Sequence, residues 1–159
     1  LGQPAQPDLI ARRLVTIGFG LYANKDYLRR AAPLNSVDDL KAHQLVGLQA
    51  AGTAMNSPMM FPPSPSVAGN YVYLTNSSAA QLSAVKAGFG VGILSHRWAA
   101  MAGAGKLTRV LPEYTAATVD LWLVTHEELR HSARIRAVFD FIADRVLADA
   151  DLFERGTRI

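Results

Sequence analysis

The chain has 159 residues, of which 50% are hydrophobic and 18% charged, with a formal net charge of +3 and a pI near 9.4. This composition is typical of a folded domain, and the absence of cysteine excludes disulfide scaffolds, thiolate zinc sites and thiol nucleophiles. No apolar run approaches the length of a membrane-spanning helix, and no basic stripe with interleaved aromatic residues indicates a nucleic-acid surface.

The first predicted elements are a buried strand and a short helix. Residues 15–23, VTIGFGLYA, are apolar and rich in β-forming residues, which predicts a buried strand that contains two glycines. Asn24 is the expected N-cap of the helix that follows. Tyr27 and Leu28 are predicted to face inward, and Pro33 ends the helix.

The rest of the chain continues the alternation of helices and strands. The predicted elements, in chain order, are a helical turn capped by Ser36, strands over 45–49 and 67–75 separated by a proline-rich loop, a helix over 78–88, a strand over 90–95, a short helix over 96–105, a strand that begins at Leu107 and stops at Pro112, a strand over 120–125, and a last helix capped by Ser132. This alternation predicts an α/β fold with a mainly parallel sheet.

The last predicted helix is amphipathic. Its apolar stripe consists of Ile135, Val138, Phe139, Ile142 and Val146. An exposed apolar stripe tends to be covered, so the helix is expected to pack on another chain, to exchange with the same helix of another chain, or to be poorly ordered.

The stretch 75–94, TNSSAAQLSAVKAGFGVGIL, carries the strongest local pattern. Ser78 and Gln81 have the spacing of a capping box, and Gly88 falls where a left-handed helix cap belongs. The glycines run from a helix into a strand, whereas a dinucleotide-binding loop runs from a strand into a helix. We therefore interpret Gly88 as a helix cap, and Gly90 and Gly92 as sites of close backbone packing.

Catalysis and metal binding find little support in the sequence. Ser77 and Ser78 do not lie in a G-x-S-x-G elbow. The four histidines show no HExxH spacing and no cluster with acidic residues, so we predict no catalytic residue, metal ligand or cofactor. They are interpreted as surface or capping residues and are His43, His96, His126 and His131.

Ligand binding without chemistry fits the same stretch better. Asn76, Ser77 and Ser78 come where a predicted strand ends and a helix begins. In open α/β sheets ligands bind at that edge, and the free N–H groups and dipole of a helix N-terminus favour an anion such as a carboxylate. A plain helix cap remains the alternative, because every such helix needs one.

The order of segments resembles the effector-binding domain of LysR-type transcriptional regulators. The stretches that carry the resemblance are LGQPAQPDLIARRL, FGLYANKDYLRR, DDLKAHQLVGL, NSSAAQLSAVKAGFGVGILS, LTRVLPEY and LWLVTHEELRHSARIRAVFDFIAD. The resemblance implies a fold like that of type 2 periplasmic binding proteins, with two α/β lobes, two crossovers and an effector between the lobes. It also implies that a winged helix-turn-helix, a linker helix and most of the first lobe precede this chain.

The resemblance further implies a division of the chain. Residues 1–13 would end the first lobe, residues 14–126 would form the second lobe, and residues 127–159 would return to the first lobe with the C-terminal helix. The candidate effector-binding residues are Asn76, Ser77, Ser78, Gln49 and Ala50. The candidate hinge residues near the crossovers are Arg12, Arg13, Thr125 and His126. The loop over 51–66, rich in proline and methionine, departs from the family pattern.

The implied function is a two-state sensor in the cytoplasm. A small anionic metabolite would bind between the lobes, change their angle, and so alter homo-oligomer packing (dimer or tetramer) and promoter DNA binding through the helix-turn-helix. A periplasmic solute-binding protein of a transport system, with the same fold, is the alternative. A small α/β enzyme is a third class.

Overall fold

The computed structural model describes residues 6–49, 70–103 and 105–156. The strands in this part of the chain are β1 (Leu9–Asn24), β2 (Leu45–Leu48), β3 (Tyr71–Thr75), β4 (Val91–Ser95), β5 (Leu107–Val110) and β6 (Ala117–His126). The α-helices are α1 (Lys25–Arg30), α2 (Ser78–Lys86), α3 (His96–Met101), α4 (Ala133–Ala148) and α5 (Ala150–Glu154), and 3₁₀ helices span Val37–Ala42 and Glu127–His131.

The strands form one mixed sheet, in the order β3-β2-β4-β1-β5, with β6 also paired to β1. β2 is parallel to β3 and β4, whereas β1 is antiparallel to β4, β5 and β6. The α/β class is thus confirmed, but the expectation of a mainly parallel sheet is wrong. The strands β2, β3 and β4 form a parallel part of the sheet, and the long strand β1 runs antiparallel to its neighbours. The alternation of helices and strands in the sequence does not reveal such pairings between distant segments.

The predicted hinge residues lie on two adjacent strand segments. The start of β1 pairs with the end of β6, with Ile10 opposite Thr125 and Arg13 opposite Trp122. The register shifts between Arg13 and Val15, so that Leu14 is an extra residue that forms a β-bulge. The bulge coincides with the predicted lobe boundary at residue 14, and the hinge role of Arg12, Arg13, Thr125 and His126 stays a prediction.

Both faces of the sheet are covered, which explains why its central strands are buried. On one face Phe19, Leu21 and Ile93 pack with Tyr27 of α1 and with Leu40. The other face receives α2 and α3, with a core that consists of Tyr22, Val46, Leu82, Ala84, Val85, Leu94, Ala99 and Ala102. Alternate residues of β1 and β4 enter opposite cores, as the two-residue period of a strand requires.

The helix ends follow local sequence signals, with one shift. Asn24 accepts a hydrogen bond from the Asp26 backbone N–H, which confirms the predicted cap of α1. The N-cap of α2 is Ser77 rather than Ser78, because the Ser77 Oγ accepts from the Ala80 backbone N–H at 3.3 Å. The predicted capping box between Ser78 and Gln81 is therefore wrong, and the Gln81 side-chain amide instead donates a hydrogen bond to the Val46 carbonyl. Gly88 has a φ of 80°, as its predicted role requires.

Two histidines contradict the surface interpretation. His43 and His96 are buried, and each shares a hydrogen bond with a tyrosine hydroxyl, at 3.1 Å with Tyr27 and 2.8 Å with Tyr22. His43 follows the 3₁₀ helix that ends at Ala42, and His96 is the first residue of α3. The interpretation is confirmed for His126 and His131, which are exposed.

The last two helices differ in their packing. The predicted cap residue of α4, Ser132, makes no side-chain capping bond, and several apolar residues of this helix are exposed. α5 packs against β1 and α3 and buries Leu152. No helix in the described ranges has the length and apolar character needed to cross a membrane.

Candidate ligand-binding site

A cavity of about 200 Å³ lies at the carboxyl edge of β2 and β4. Leu48 ends β2 and Ser95 ends β4, while Ser78 begins α2. The lining residues are Ile17, Phe19, Leu48, Ser78, Gln81, Ile93, Leu94, Ser95, Arg97, Trp98 and Phe153. Because the carboxyl ends of parallel strands meet at one edge, residues that are distant in sequence converge here.

The two helices next to the cavity both begin with a serine cap, and one of these serines, Ser95, lines the cavity. The Ser77 Oγ caps α2, and the Ser95 Oγ accepts a hydrogen bond from the Trp98 backbone N–H at 3.2 Å to cap α3. Both helices therefore begin beside the cavity. The α2 N-terminus favours negative charge there, because its first backbone N–H groups are not all used within the helix.

The described candidates for effector binding lie at this edge, but each occupies a different position there. Ser78 lines the cavity. Ser77 is used as the helix cap, and Asn76 is exposed in the bend before it. Gln49 follows β2, and its backbone N–H donates to the Thr75 carbonyl at 2.8 Å. Ala50 and the loop over 51–66 lie outside the described residues.

Of the residues that line the cavity, the sequence interpretation named only Ser78 as a candidate for effector binding. The polar and aromatic ones that it missed include Gln81, Ser95, Arg97, Trp98 and Phe153. The stretch SHRW follows β4 in the same way that TNSS follows β3, so the strand-edge rule also predicts ligand contacts at Ser95, Arg97 and Trp98. Phe153 carries no such signal, because it reaches the cavity only through the docking of α5 on the sheet.

The cavity is largely apolar and contains one charged side chain. Among the described lining residues, Arg97 is charged, and none is a histidine or a carboxylate that could activate Ser78 or Ser95. The Arg97 guanidinium lies 5.9 Å from the centre of the Phe153 ring and 3.8 Å from the Asp149 carboxylate. These residues can bind a small molecule, and they offer no nucleophile–base pair for a reaction.

His96 stands in sequence between the lining residues Ser95 and Arg97 and occupies a closely packed site. A Cβ atom added to Gly18 would lie 2.9 Å from the His96 Cδ2 atom, and one added to Gly20 would lie 3.0 Å from its Cε1 atom. Burial, with a smaller contribution from the Arg109 charge, lowers the pKa of His96 to about 4. At neutral pH the imidazole is therefore uncharged, and it adds no positive charge beside Arg97.

A mixed α/β sheet with a small, mostly apolar cavity at the carboxyl edge of its parallel strands is the arrangement in which α/β proteins commonly bind small ligands. The model of the LysR substrate binding domain matches residues 1–147. The chain therefore belongs to the LysR substrate-binding domain family, whose members form the effector-sensing part of transcriptional regulators. The family match does not favour the transport alternative.

Individual relatives agree with this assignment. The chain is 28% identical over 147 residues to a Klebsiella pneumoniae protein described as "Probable HTH-type transcriptional regulator LtrA", and it spans 48% of that protein's length. The regulatory domain of CrgA from Neisseria meningitidis, a LysR-type transcriptional regulator, superposes with a TM-score of 0.73 at 22% identity, over 90% of this chain and 72% of that one. Full-length AphB of Vibrio cholerae, a virulence activator, superposes with a TM-score of 0.67 at 17% identity, over 90% of this chain and 49% of that one. These two structures share the fold.

Proposed function

We propose that this chain senses a small anionic metabolite, which binds in the cavity at the carboxyl edge of β2 and β4. The observation that carries this proposal is the composition of the cavity: apolar walls, Ser78 at the start of α2, and Arg97. Pockets for drug-sized ligands measure about 300–1,000 Å³, so a cavity of about 200 Å³ suits a smaller molecule. The chain binds the effector and does not convert it.

The response to the effector is a change in the angle between two lobes. We assign residues 14–126 to the second lobe, and residues 1–13 and 127–159 to the first lobe, with the segment 149–156 in contact with β1 and α3 of the second lobe. The paired segments of β1 and β6 and the bulge at Leu14 support a hinge at this position, because a bulge bends the strand in which it lies. An effector that binds one angle more tightly shifts the population toward it.

The whole protein is, in this proposal, a cytoplasmic homo-oligomeric regulator, a dimer or tetramer. A helix-turn-helix domain outside this chain binds promoter DNA, and the lobe angle changes how the subunits present that domain. The relative from Klebsiella pneumoniae is described as a probable HTH-type transcriptional regulator, which supports the proposal over a solute-binding protein for transport.

The change in Tm on addition of ligand tests the binding site. A panel of small carboxylates is screened against the 159-residue chain, and a ligand at 100 times its Kd adds about 2.7 kcal/mol to the free energy of unfolding. Ser78→Phe, which places a ring at the cavity, should abolish the increase in Tm. Ser83→Phe is the matched control, because Ser83 is an exposed residue of the same helix. Equal increases in both variants would place the ligand elsewhere and contradict the site.

A further inference from the structure

Arg97 is poorly satisfied by the protein that surrounds it. Its side chain is 32% exposed and lies second in α3, at the cavity. Among the described residues its ion-pair partner is Asp149, at 3.8 Å, which is beyond hydrogen-bond distance. A guanidinium carries five N–H donors in a planar fork that matches a carboxylate. Arg97 therefore retains the capacity to bind a carboxylate at shorter distance.

Asp149 is held beside Arg97 by the docking of the segment 149–156, which contains α5. Leu152 of this segment is buried, Gly156 lies against His96, and the Arg155 carbonyl accepts a hydrogen bond from Arg109 at 3.0 Å. Asp149 occupies the N-cap position of α5 but makes no side-chain capping bond. The Asp149 carboxylate is therefore available for an ion pair with Arg97, and at 3.8 Å that ion pair is weak.

The aromatic residues near Arg97 indicate the chemical character of the ligand beyond its carboxylate. The Phe153 ring lies 5.9 Å from the guanidinium carbon, and Trp98 also lines the cavity. Aromatic side chains favour contact with a flat apolar body, whereas a second negative charge would find no second cation among the described lining residues.

We propose that Arg97 selects the effector by its carboxylate, and that Asp149 is an internal competitor for the same guanidinium. The ligand class is a small monocarboxylate with a flat apolar body. This inference rests on the proposed function of the cavity. When the ligand carboxylate binds Arg97, it displaces the Asp149 carboxylate, so ligand binding and the Asp149–Arg97 contact oppose each other by the same free energy.

Matched acids and amides test the charge selection on the unmodified chain. Benzoate is compared with benzamide, and phenylacetate with phenylacetamide, by NMR titration of the backbone amides around Ser78 and Arg97. The acids should bind at least about tenfold more tightly than their neutral amides, since each amide lacks the charge-assisted bonds to Arg97. Arg97→Gln should remove this preference, and Arg97→Lys should restore part of it, because lysine keeps the charge without the fork.

Asp149→Asn tests whether Asp149 competes with the ligand for Arg97. Whereas Arg97→Gln should weaken the binding of the acids, Asp149→Asn should strengthen it. Removal of the competing charge should tighten benzoate binding by about threefold or more and leave benzamide binding unchanged. Asp151→Asn is the control, because Asp151 lies in the same segment and forms no ion pair with Arg97. A structural role for Asp149 predicts weaker binding of both probes instead.

The outcomes separate this inference from the proposed function. If the amides bind in the cavity as tightly as the acids, or if Arg97→Gln keeps the preference, the role of Arg97 is refuted while the cavity remains the ligand site. If Asp149→Asn leaves benzoate affinity unchanged, the competitor role is refuted. If no acid or amide perturbs the residues of the cavity, both the inference and the proposed site fail.

Discussion

α4 and α5 are consecutive helices with opposite relations to the sheet. α4 has 16 residues and a clear apolar stripe, yet Val138, Phe141 and Ile142 remain exposed, with Phe141 at 65%. α5 has only five residues and buries Leu152 against the sheet. The longer and more regular amphipathic helix is therefore the less buried one.

The difference lies in the surface that receives each helix. β1 carries Gly18 and Gly20 on the face toward His96, and the Glu154 carbonyl lies directly over Gly18. Because glycine has no side chain, Gly18 and Gly20 leave a groove in which the backbone of the C-terminal segment packs. An apolar stripe predicts that a helix can be buried, but the receiving surface decides whether it is.

The same substitution in each helix measures this contrast most directly. Leu152→Ala should lower the free energy of unfolding by about 3 kcal/mol, because Leu152 is 3% exposed and its removal leaves a cavity. Leu147→Ala in α4 should lower it by less than about 1 kcal/mol, since Leu147 is 40% exposed. Urea denaturation of both variants provides the measurement. Similar losses in the two variants would mean that α4 is buried in solution, for example by another chain.

His96 gives the groove a pH dependence. Its pKa is about 4 in the folded chain, against about 6.5 when unfolded, because burial disfavours the charged ring. The unfolded chain thus binds more protons between these values, and stability is fully present above pH 6.5 and falls as the pH drops toward 4. Unfolding free energy should be about 2 kcal/mol lower at pH 5 than at pH 8 from this group alone.

The contribution of His96 is isolated by its glutamine variant. His96→Gln retains a polar side chain of similar length near Tyr22 but does not titrate. Its stability at pH 8 should be lower, and the decrease between pH 8 and pH 5 should be smaller than in the parent chain by about 2 kcal/mol. An unchanged slope would show that other groups determine the pH dependence.

Much of the fold was predictable because its signals are local. The cap at Asn24, the left-handed Gly88 and the strands over 15–23 and 90–95 depend on neighbouring residues, and the structure confirms them. The pairing of β1 with β6 joins Leu9 to His126, and no local pattern encodes such a distant contact. For this reason the α/β class could be predicted, whereas the balance of parallel and antiparallel strands could not.

The candidate site divides in the same way. Ser78 was predicted from the rule that ligands bind where parallel strands end and helices begin, and the same rule extends to Arg97. Phe153 and the burial of His96 depend on how the C-terminal segment crosses β1, which requires the tertiary structure. The glycines of β1 were visible in the sequence, but nothing local indicated that a carbonyl and an imidazole fill the space beside them.

Gly18→Ala tests the groove itself. A Cβ at this position would overlap the Glu154 carbonyl oxygen, which is a backbone atom, and would lie 2.9 Å from the His96 ring. We expect a loss of about 1 to 2 kcal/mol and faster hydrogen exchange in the segment 149–156. Gly20→Ala is the graded control, because its nearest atoms belong to the side chains of His96 and Arg109. A larger effect for Gly20→Ala than for Gly18→Ala would contradict the groove.

The smallest expected effect separates two consecutive serines at the start of α2, where neighbours in sequence again have different roles. Ser77→Ala removes the capping bond to the Ala80 N–H and should lower the unfolding free energy by about 0.5 to 1 kcal/mol. Ser78→Ala removes no capping bond and should leave stability within about 0.5 kcal/mol, because Ser78 is an exposed first residue of the helix. In ligand titrations the order should reverse, with the larger loss of affinity at Ser78, since Ser78 lines the cavity and the Ser77 hydroxyl is already engaged. Urea denaturation and ligand titration of both variants provide the two measurements. If Ser77→Ala lowered ligand affinity as much as Ser78→Ala does, the cap and the ligand site would not be separate.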